Sequence, residues 1–286
     1  MPSLSFLFGT VGSPKSTPKK PGGSVGGVLH SAELGLYCLE LGWVRSVRVS
    51  DKTCALIKTT AEEGGVSISV HAPYYINLNA DEQEWPKSRK RLMDAAHFGN
   101  LAGATDVIFH PGSYFQRPPE DVLPTAINRL ENCLEELHSA DNPVILRPET
   151  MGKSAMLGSL DDTIKMSQAL KGIKPCLDVA HLHARAGDGS VNSYDEWAQV
   201  LEDYGNALGD SALKDLHIHI SGIEYGEKGE KEHLPLEESD LDFKAILQAL
   251  NDFECQGRIL CESPILEEDA LLCKKTWCEI SQENCD

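Results

Sequence analysis

Short apolar runs rich in β-branched residues alternate with longer amphipathic stretches along the whole chain. The runs Leu4–Phe8, Leu36–Leu41, Val66–Val70, Asp106–Phe109, Val144–Arg147, Pro175–Leu177, Leu213–Ile218 and Arg258–Cys261 predict eight strands. Helix-like patterns fill the intervals, at about 24–34, 51–63, 85–102, 119–139, 158–171, 193–205, 239–252 and 267–281. Between Thr125 and Leu137 the periodicity is clearest, with Ile127, Leu130, Leu134 and Leu137 on one helical face. Strand followed by helix, repeated without a compositional break, predicts one α/β domain over residues 1–286, a TIM (β/α)8 barrel. An open, doubly wound sheet is the alternative. No G-x-G-x-x-G joins a strand to a helix, which argues against a dinucleotide-binding version of it.

Composition narrows the class. A chain of 286 residues with 41% hydrophobic content can bury the core of such a barrel. Its net charge of −18 speaks against nucleic-acid binding driven by overall charge. No apolar run reaches the ~18 residues of a membrane span. Lys15, Lys19 and Lys20 follow the apolar stretch Leu4–Phe8, the reverse of a secretory signal. The nine cysteines form no C-x-x-C pair and read as reduced thiols, so a cytoplasmic location is expected. Two stretches read as irregular: the Pro/Gly/Lys-rich segment Gly12–Gly27 and the Gly/Glu/Lys-rich segment Gly222–Glu238. The polar end, Ser281–Asp286, reads as a disordered tail.

The histidines and acids carry the chemistry. His71 directly follows the third strand and His110 the fourth; Glu149, Asp178 and Glu262 close the fifth, sixth and eighth, and His217 and His219 lie on the seventh. Any one of these reads by default as a core residue. Strands three to eight each delivering a His, Asp or Glu near the carboxyl end is hard to ascribe to packing, because those ends converge on the active face of a parallel barrel. Asp178-Val-Ala-His181 and the segment Glu227 to His233 add further ligand types. Imidazole and carboxylate without organised thiolates suit Zn²⁺, Mn²⁺ or Fe²⁺, and so many candidates support two or three ions. Clustered divalent ions favour hydrolytic phosphoryl transfer.

The segments His71-Ala-Pro-Tyr-Tyr-Ile-Asn-Leu78, Phe109-His-Pro-Gly112, Arg147-Pro-Glu-Thr150, Cys176-Leu-Asp-Val-Ala-His181, Leu216-His217 with His233, and Leu260-Cys-Glu-Ser263 together resemble the endonuclease IV family. Phe8-Gly-Thr-Val-Gly12 and His219-Ile-Ser-Gly-Ile-Glu-Tyr225 are similar to an archaeal-type branch of it. The resemblance implies a TIM-barrel apurinic/apyrimidinic endonuclease with about three zinc ions, acting on double-stranded DNA that contains abasic sites. It implies that His71 and His110 hold the first ion and that Glu149 bridges it to a second. Asp178, His217 and Glu262 would complete the second, and His181 and His233 would hold the third with a carboxylate. The family's Asp-x-His would place that carboxylate at Lys231, which cannot serve, so Glu230 is expected to substitute, with Glu232 as the alternative. His217 over His219 is likewise a choice of alignment, since alternate strand residues face the same way. Glu149 is the implied catalytic residue, orienting or deprotonating the attacking water. The products would be a 3′-hydroxyl and a 5′-deoxyribose phosphate. Tyr74 matches a position that enters DNA, with Tyr75 beside it where the family carries Leu.

Lys87, Arg89, Lys90 and Arg91 are candidate phosphate contacts, although a solvated helix face is the ordinary explanation of such a run. Two other functions remain open: a single-metal sugar isomerase or epimerase on the same barrel, and a barrel that binds damaged DNA without cutting it. No membrane or obligate protein partner is implied, and a monomer is expected.

Overall fold

The computed structural model describes residues 4–284. Eight strands run parallel: β1 (Phe6–Val11), β2 (Cys38–Gly42), β3 (Ser67–His71), β4 (Ala104–Phe109), β5 (Ile145–Pro148), β6 (Leu177–Asp178), β7 (Leu216–Ile220) and β10 (Gly257–Cys261). Their neighbour order is β5-β4-β3-β2-β1-β10-β7-β6. The two ends meet through parallel bridges, Leu146 with Ile173 and Glu149 with Cys176, which close the sheet into a (β/α)8 barrel.

Helices α1 (Gly23–Glu33), α2 (Asp51–Gly64), α3 (Trp85–Leu101), α4 (Pro119–Ser139), α5 (Leu160–Ala169), α7 (Tyr194–Leu208), α8 (Phe243–Asp252) and α9 (Glu267–Ser281) ring the sheet, and a short α6 (Val179–Ala184) follows β6 directly. Local signals set their ends. Ser159 with Asp162 and Ser193 with Glu196 form reciprocal caps at the starts of α5 and α7. Gly65 closes α2 in the left-handed conformation that glycine adopts without strain. The apolar core lies between sheet and helices, in one half around Leu39, Val70, Leu92 and Leu130 and another around Phe6, Ile218, Leu247 and Trp277.

The structure departs from the sequence reading in several places. The first, sixth and seventh strands lie further along the chain than expected, the seventh as Leu216–Ile220, with His217 and His219 both on it. Gly222–Glu238 is not irregular but carries an antiparallel hairpin, β8 (Gly222–Gly226) with β9 (Gly229–Leu234). The expected tail is ordered through residue 284, because the Glu283 carboxylate accepts hydrogen bonds from Ser5 Oγ (2.6 Å) and Trp277 Nε1 (2.9 Å); residues 285–286 lie outside the described part. Seven cysteines are free and buried, but Cys278 is disulfide-bonded, so the reading of all nine as reduced thiols does not hold there. Among the described residues no helix is long and apolar enough to cross a membrane.

Candidate metal centre

Barrel interiors are ordinarily filled by branched apolar side chains, but much of this one is polar. Toward the amino ends of the strands, Arg147 Nε donates to Asp106 Oδ1 (2.5 Å) and Arg258 Nη2 lies 3.2 Å from Asp106 Oδ2. Burial opposes ionisation of Asp106, yet the two guanidiniums prevail and hold its carboxyl well below the usual range. Above them, Glu40 on β2 accepts from Ser69 Oγ (2.7 Å) and His217 Nε2 (2.9 Å). Toward the carboxyl ends come His71, His110, Glu149, Asp178, His181, His219 and Glu262, joined by Glu230 and His233 from the hairpin.

Glu149 is the hub. Its Oε2 faces His71 Nε2 at 3.2 Å and His110 Nε2 at 3.3 Å; its Oε1 faces His181 Nδ1 at 3.3 Å and His219 Nδ1 at 3.5 Å. Burial raises its pKa, but these imidazoles outweigh burial and the carboxyl sits well below its ordinary value. Asp178 caps α6 by accepting the His181 backbone N–H on Oδ1 (2.7 Å), which leaves Oδ2 buried, unpartnered and 3.3 Å from His181 Nδ1. Burial, with the negative neighbours Glu149 and Glu262 and against the pull of His181, pushes Asp178 up to about 6. His219 Nδ1 is 3.5 Å from Glu262 Oε1. On the hairpin, His181 Nε2 lies 3.4 Å from His233 Nε2 and 3.6 Å from Glu230 Oε2.

Ring orientation shows what is missing from this set. His71 Nδ1 donates to the Ala72 carbonyl (2.9 Å), His181 Nδ1 to the Thr150 carbonyl (2.9 Å) and His233 Nδ1 to the Glu262 carbonyl (3.4 Å). Each Nε2 therefore turns a lone pair toward a carboxylate or another Nε2. Acceptors facing acceptors need a proton or a cation between them. Burial opposes charge on His71 and His181, but the surrounding carboxylates prevail and raise them to about 9 and about 10. Among the described residues, Glu40 Oε1, Glu149 Oε1, Asp178 Oδ2 and both ring nitrogens of His219 lack hydrogen-bond partners. The donors fit divalent cations in five overlapping groups. His71, His110 and Glu149 form the first, Glu149, Asp178, His219 and Glu262 the second, and Asp178, His181 and His233 the third; Glu40 with His71 and His219, and Cys176 with His217 and His219, make the other two, and within each, ligand atoms lie within 4.8 Å of one another. They open into a cleft of about 350 Å³ lined by Tyr74, His110, His181, Glu230, His233 and Glu262.

One expected residue falls elsewhere. His217 points into the same barrel as His219 but two residues lower, where its Nε2 binds Glu40, so the place expected for it in the second group falls to His219. Between the two candidate carboxylates, Glu230 turns inward, whereas Glu232 is exposed and pairs with Glu224 across the hairpin. Tyr74 stacks on His110 (centroids 4.9 Å apart) and meets the His71 ring edge-on. Tyr75 is 65% exposed. The basic run on α3 is neutralised: Lys87 and Arg91 pair with Glu84, Arg89 with Glu136 and Lys90 with Asp94. Sequence reasoning missed Glu40, although a glutamate inside the apolar Leu39-Glu40-Leu41 was a signal that a partner waits in the barrel.

Fold and site together define an α/β barrel whose histidines and carboxylates, candidate metal ligands, gather at the carboxyl ends of its strands. The family model described as xylose isomerase-like TIM barrel matches residues 28–275, and the chain belongs to that family. A Methanocaldococcus jannaschii protein without an assigned function is 38% identical over 97% of this chain and 98% of its own. A probable endonuclease 4 of Staphylococcus carnosus is 28% identical over 73% of this chain and 70% of its own. Among solved structures, endonuclease IV from Thermus thermophilus superposes with a TM-score of 0.72 at 20% identity, covering 96% of this chain and 99% of that one. A D-tagatose 3-epimerase-like protein follows at 0.70 and 18%, covering 96% and 98%. Relatives named endonuclease 4 make the chain endonuclease IV-like in sequence, while the structures, at these identities, bear on the fold alone.

Proposed function

We propose that the chain is a metal-dependent DNA-repair endonuclease that hydrolyses the phosphodiester 5′ to abasic sites. The observation that carries this reading is the number of convergent ligands. Glu149 is shared between two groups, and Asp178, His181 and His233 form a further one, with Glu230 Oε2 3.6 Å from His181 Nε2. A single-metal isomerase has no use for so many. His71, His110 and Glu149 would hold one ion, Glu149, Asp178, His219 and Glu262 a second, and His181, His233 and Glu230 a third, with Zn²⁺ expected and Mn²⁺ or Fe²⁺ compatible with the same donors. Bound there, such ions lower the pKa of water and neutralise charge on phosphate oxygens.

The chain's own residues do the rest. Glu149, with its two oxygens turned to opposite pairs of histidines, orients the attacking water and accepts its proton. The water's oxygen bonds to phosphorus as the bond to O3′ breaks, and O3′ takes a proton from solvent, which leaves a 3′-hydroxyl and a 5′-deoxyribose phosphate. Tyr74, stacked on His110 and edge-on to His71, would enter the duplex at the gap left by the missing base, with exposed Tyr75 beside it. The absent base offers no stacking to break, so extruding that nucleotide is cheap. The test is nicking of an abasic-site duplex by purified protein, with metal analysis of the same sample. Cleavage that a chelator abolishes and zinc restores supports the reading. A single ion per chain, an intact duplex and turnover of a ketose or aldose would overturn it in favour of an epimerase.

A further inference from the structure

His217 is the histidine that the centre leaves without a task. It enters the barrel from β7 two residues before His219, and its Nε2 donates to Oε2 of Glu40 at 2.9 Å. Burial, against the pull of Glu40, brings the ring down to about 4, so at neutral pH it holds one proton, on Nε2. Nδ1 is left as a lone pair with no partner, on a residue with no solvent exposure. Strand pairing supplies its neighbour. β6 lies against β7 with Leu177 opposite Ile218, and side chains alternate along each strand, so Cys176 enters the barrel beside His217 and His219. Ligand atoms of these three residues lie within 4.8 Å of one another, and none of the three is exposed. Both ring nitrogens of His219 lack a hydrogen bond, and so does Glu40 Oε1, 3.0 Å from His219 Nε2. Unpartnered polar atoms gathered in a closed core are costly unless something charged lies among them. Neither Cys176 nor His217 belongs to any other group of ligands, whereas Glu40 with His71 and His219 would draw His71 away from His110 and Glu149.

We propose that Cys176, His217 and His219 form a further cation site inside the barrel, beneath the centre at the carboxyl ends, for a thiophilic divalent ion such as Zn²⁺. The site goes beyond the nuclease reading and does not depend on it. One thiolate with two imidazoles suits zinc and not the hard ions Mg²⁺ or Ca²⁺, whereas the groups above offer imidazole and carboxylate alone. On loading, sulfur bonds to the ion and the Cys176 thiol proton passes to solvent. His219 gives one nitrogen to this ion and the other to the group it shares with Glu149, Asp178 and Glu262, and its ring proton leaves the same way. Glu40 has two parts here. Its hydrogen bond to His217 Nε2 turns Nδ1 into the ligating atom. Its charge, added to that of the thiolate, cancels the charge of the ion, which suits a site closed to water. β6 is only two residues long, so an ion joining Cys176 to β7 also ties the strand that carries Asp178 to the strand that carries His219.

The test uses the full-length protein, stripped of metal and titrated with Co²⁺ under a non-thiol reductant, for the parent, Cys176→Ser, His217→Gln and Cys133→Ser. Cobalt bound through sulfur gives a near-ultraviolet charge-transfer band that imidazole and carboxylate ligands do not give. The loaded parent shows this band. Cys176→Ser loses it together with one equivalent of metal, and His217→Gln shifts its half-saturation by at least the ~10–100-fold of a lost supporting group. Cys133→Ser, at a buried cysteine outside every ligand group, keeps both. Melts of the metal-free forms check that each variant folds. Should Cys176→Ser fail to fold, the parent's band decides, because among the described residues no other cysteine joins a group of ligands. No band in a parent that has taken up cobalt, a band that survives Cys176→Ser, or a His217→Gln titration identical to the parent's overturns the proposal. Cobalt bound through sulfur in a protein that leaves abasic duplex intact upholds this site and overturns the nuclease reading. Nicking by a loaded parent without the band does the reverse.

Discussion

Substituting Gly152 by alanine isolates the hairpin's contribution to the centre. Gly152 follows Glu149 by three residues, and its carbonyl accepts the backbone N–H of Glu230 at 2.8 Å, pinning β9 over the cleft. A Cβ at this position would lie 2.7 Å from Glu230 Cβ and 2.9 Å from both Glu230 Oε2 and His181 Cδ2. Carbon atoms prefer ~3.5–4.0 Å, so the overlap with Glu230 is roughly 0.8 Å or more. His181 is buried and tied to the Thr150 carbonyl, whereas Glu230 is 22% exposed on a two-stranded hairpin. The hairpin is the part that yields. A ligand tolerates only about 0.2 Å of error, so Glu230 leaves bonding range and the third metal equivalent is lost. Overpacking costs ~1–3 kcal/mol of stability, and displacement on this scale at a reacting centre lowers nicking on the order of 10²-fold. Zinc titration, melting and nicking rate measure the three effects. Gly226→Ala is the control on the same hairpin, since its Cβ meets only the flexible end of Lys231, at 3.2 Å. A Gly152→Ala protein with full zinc loading and parental nicking would refute the claim that the hairpin supplies a ligand.

Three further outcomes follow from the same geometry. Glu230→Gln lowers the zinc count by one, whereas Glu232→Gln leaves it unchanged, because only Glu230 faces His181; elemental analysis after gel filtration reads both. Tyr75→Ala leaves the melt unchanged and weakens binding of abasic duplex by about 1–3 kcal/mol, the worth of one aromatic–base stack, measured by fluorescence anisotropy at fixed salt; parental affinity would remove Tyr75 from the DNA interface. Asp106→Asn strips the buried partner of Arg147 and costs about 3–5 kcal/mol at neutral pH, read by denaturant unfolding. Since the folded Asp106 pKa is depressed, its stabilisation is full above the unfolded value of about 4 and is lost as pH falls below it. The parent should therefore lose stability in that acid window more steeply than the variant; parallel curves would show that Asp106 is not ionised in the fold.

Much of this was legible from pattern alone, for reasons that also explain what was not. Strand–helix alternation is a period signal, and His71, His110, Glu149, Asp178 and Glu262 announce themselves by following or closing a strand. The choice between His217 and His219 had no such signal. Residues two apart on a strand share a face, so both enter the barrel, and only height along its axis separates them. Height is set by the register of β7 against β10, which pairs His217 with Arg258 and His219 with Leu260. The hairpin escaped notice because its buried apolar side is short, Ile223 with Tyr225, while charged residues such as Glu224, Glu230 and Lys231 dominate the segment and its glycines read as loop. Glu40 escaped because one glutamate between leucines looks like an error in a strand until its partners, far off in sequence on β3 and β7, are known.

The net charge of −18 changes meaning once the buried acids are located. The barrel solves the problem of interior carboxylates in two ways. At the amino ends, Asp106 is matched by Arg147 and Arg258, cations that cannot be exchanged or titrated away. From the middle of the barrel to the carboxyl ends, Glu40, Glu149 and Asp178 are equally buried, yet the charges nearest them are histidines, which neutralise acids only by holding protons. A site that needed only stability would have used arginine at both ends. Histidine at one end alone leaves a place where protons can give way to divalent cations, and the acidity that argued against a phosphodiester substrate becomes the means of gathering positive charge at the face where that substrate would bind.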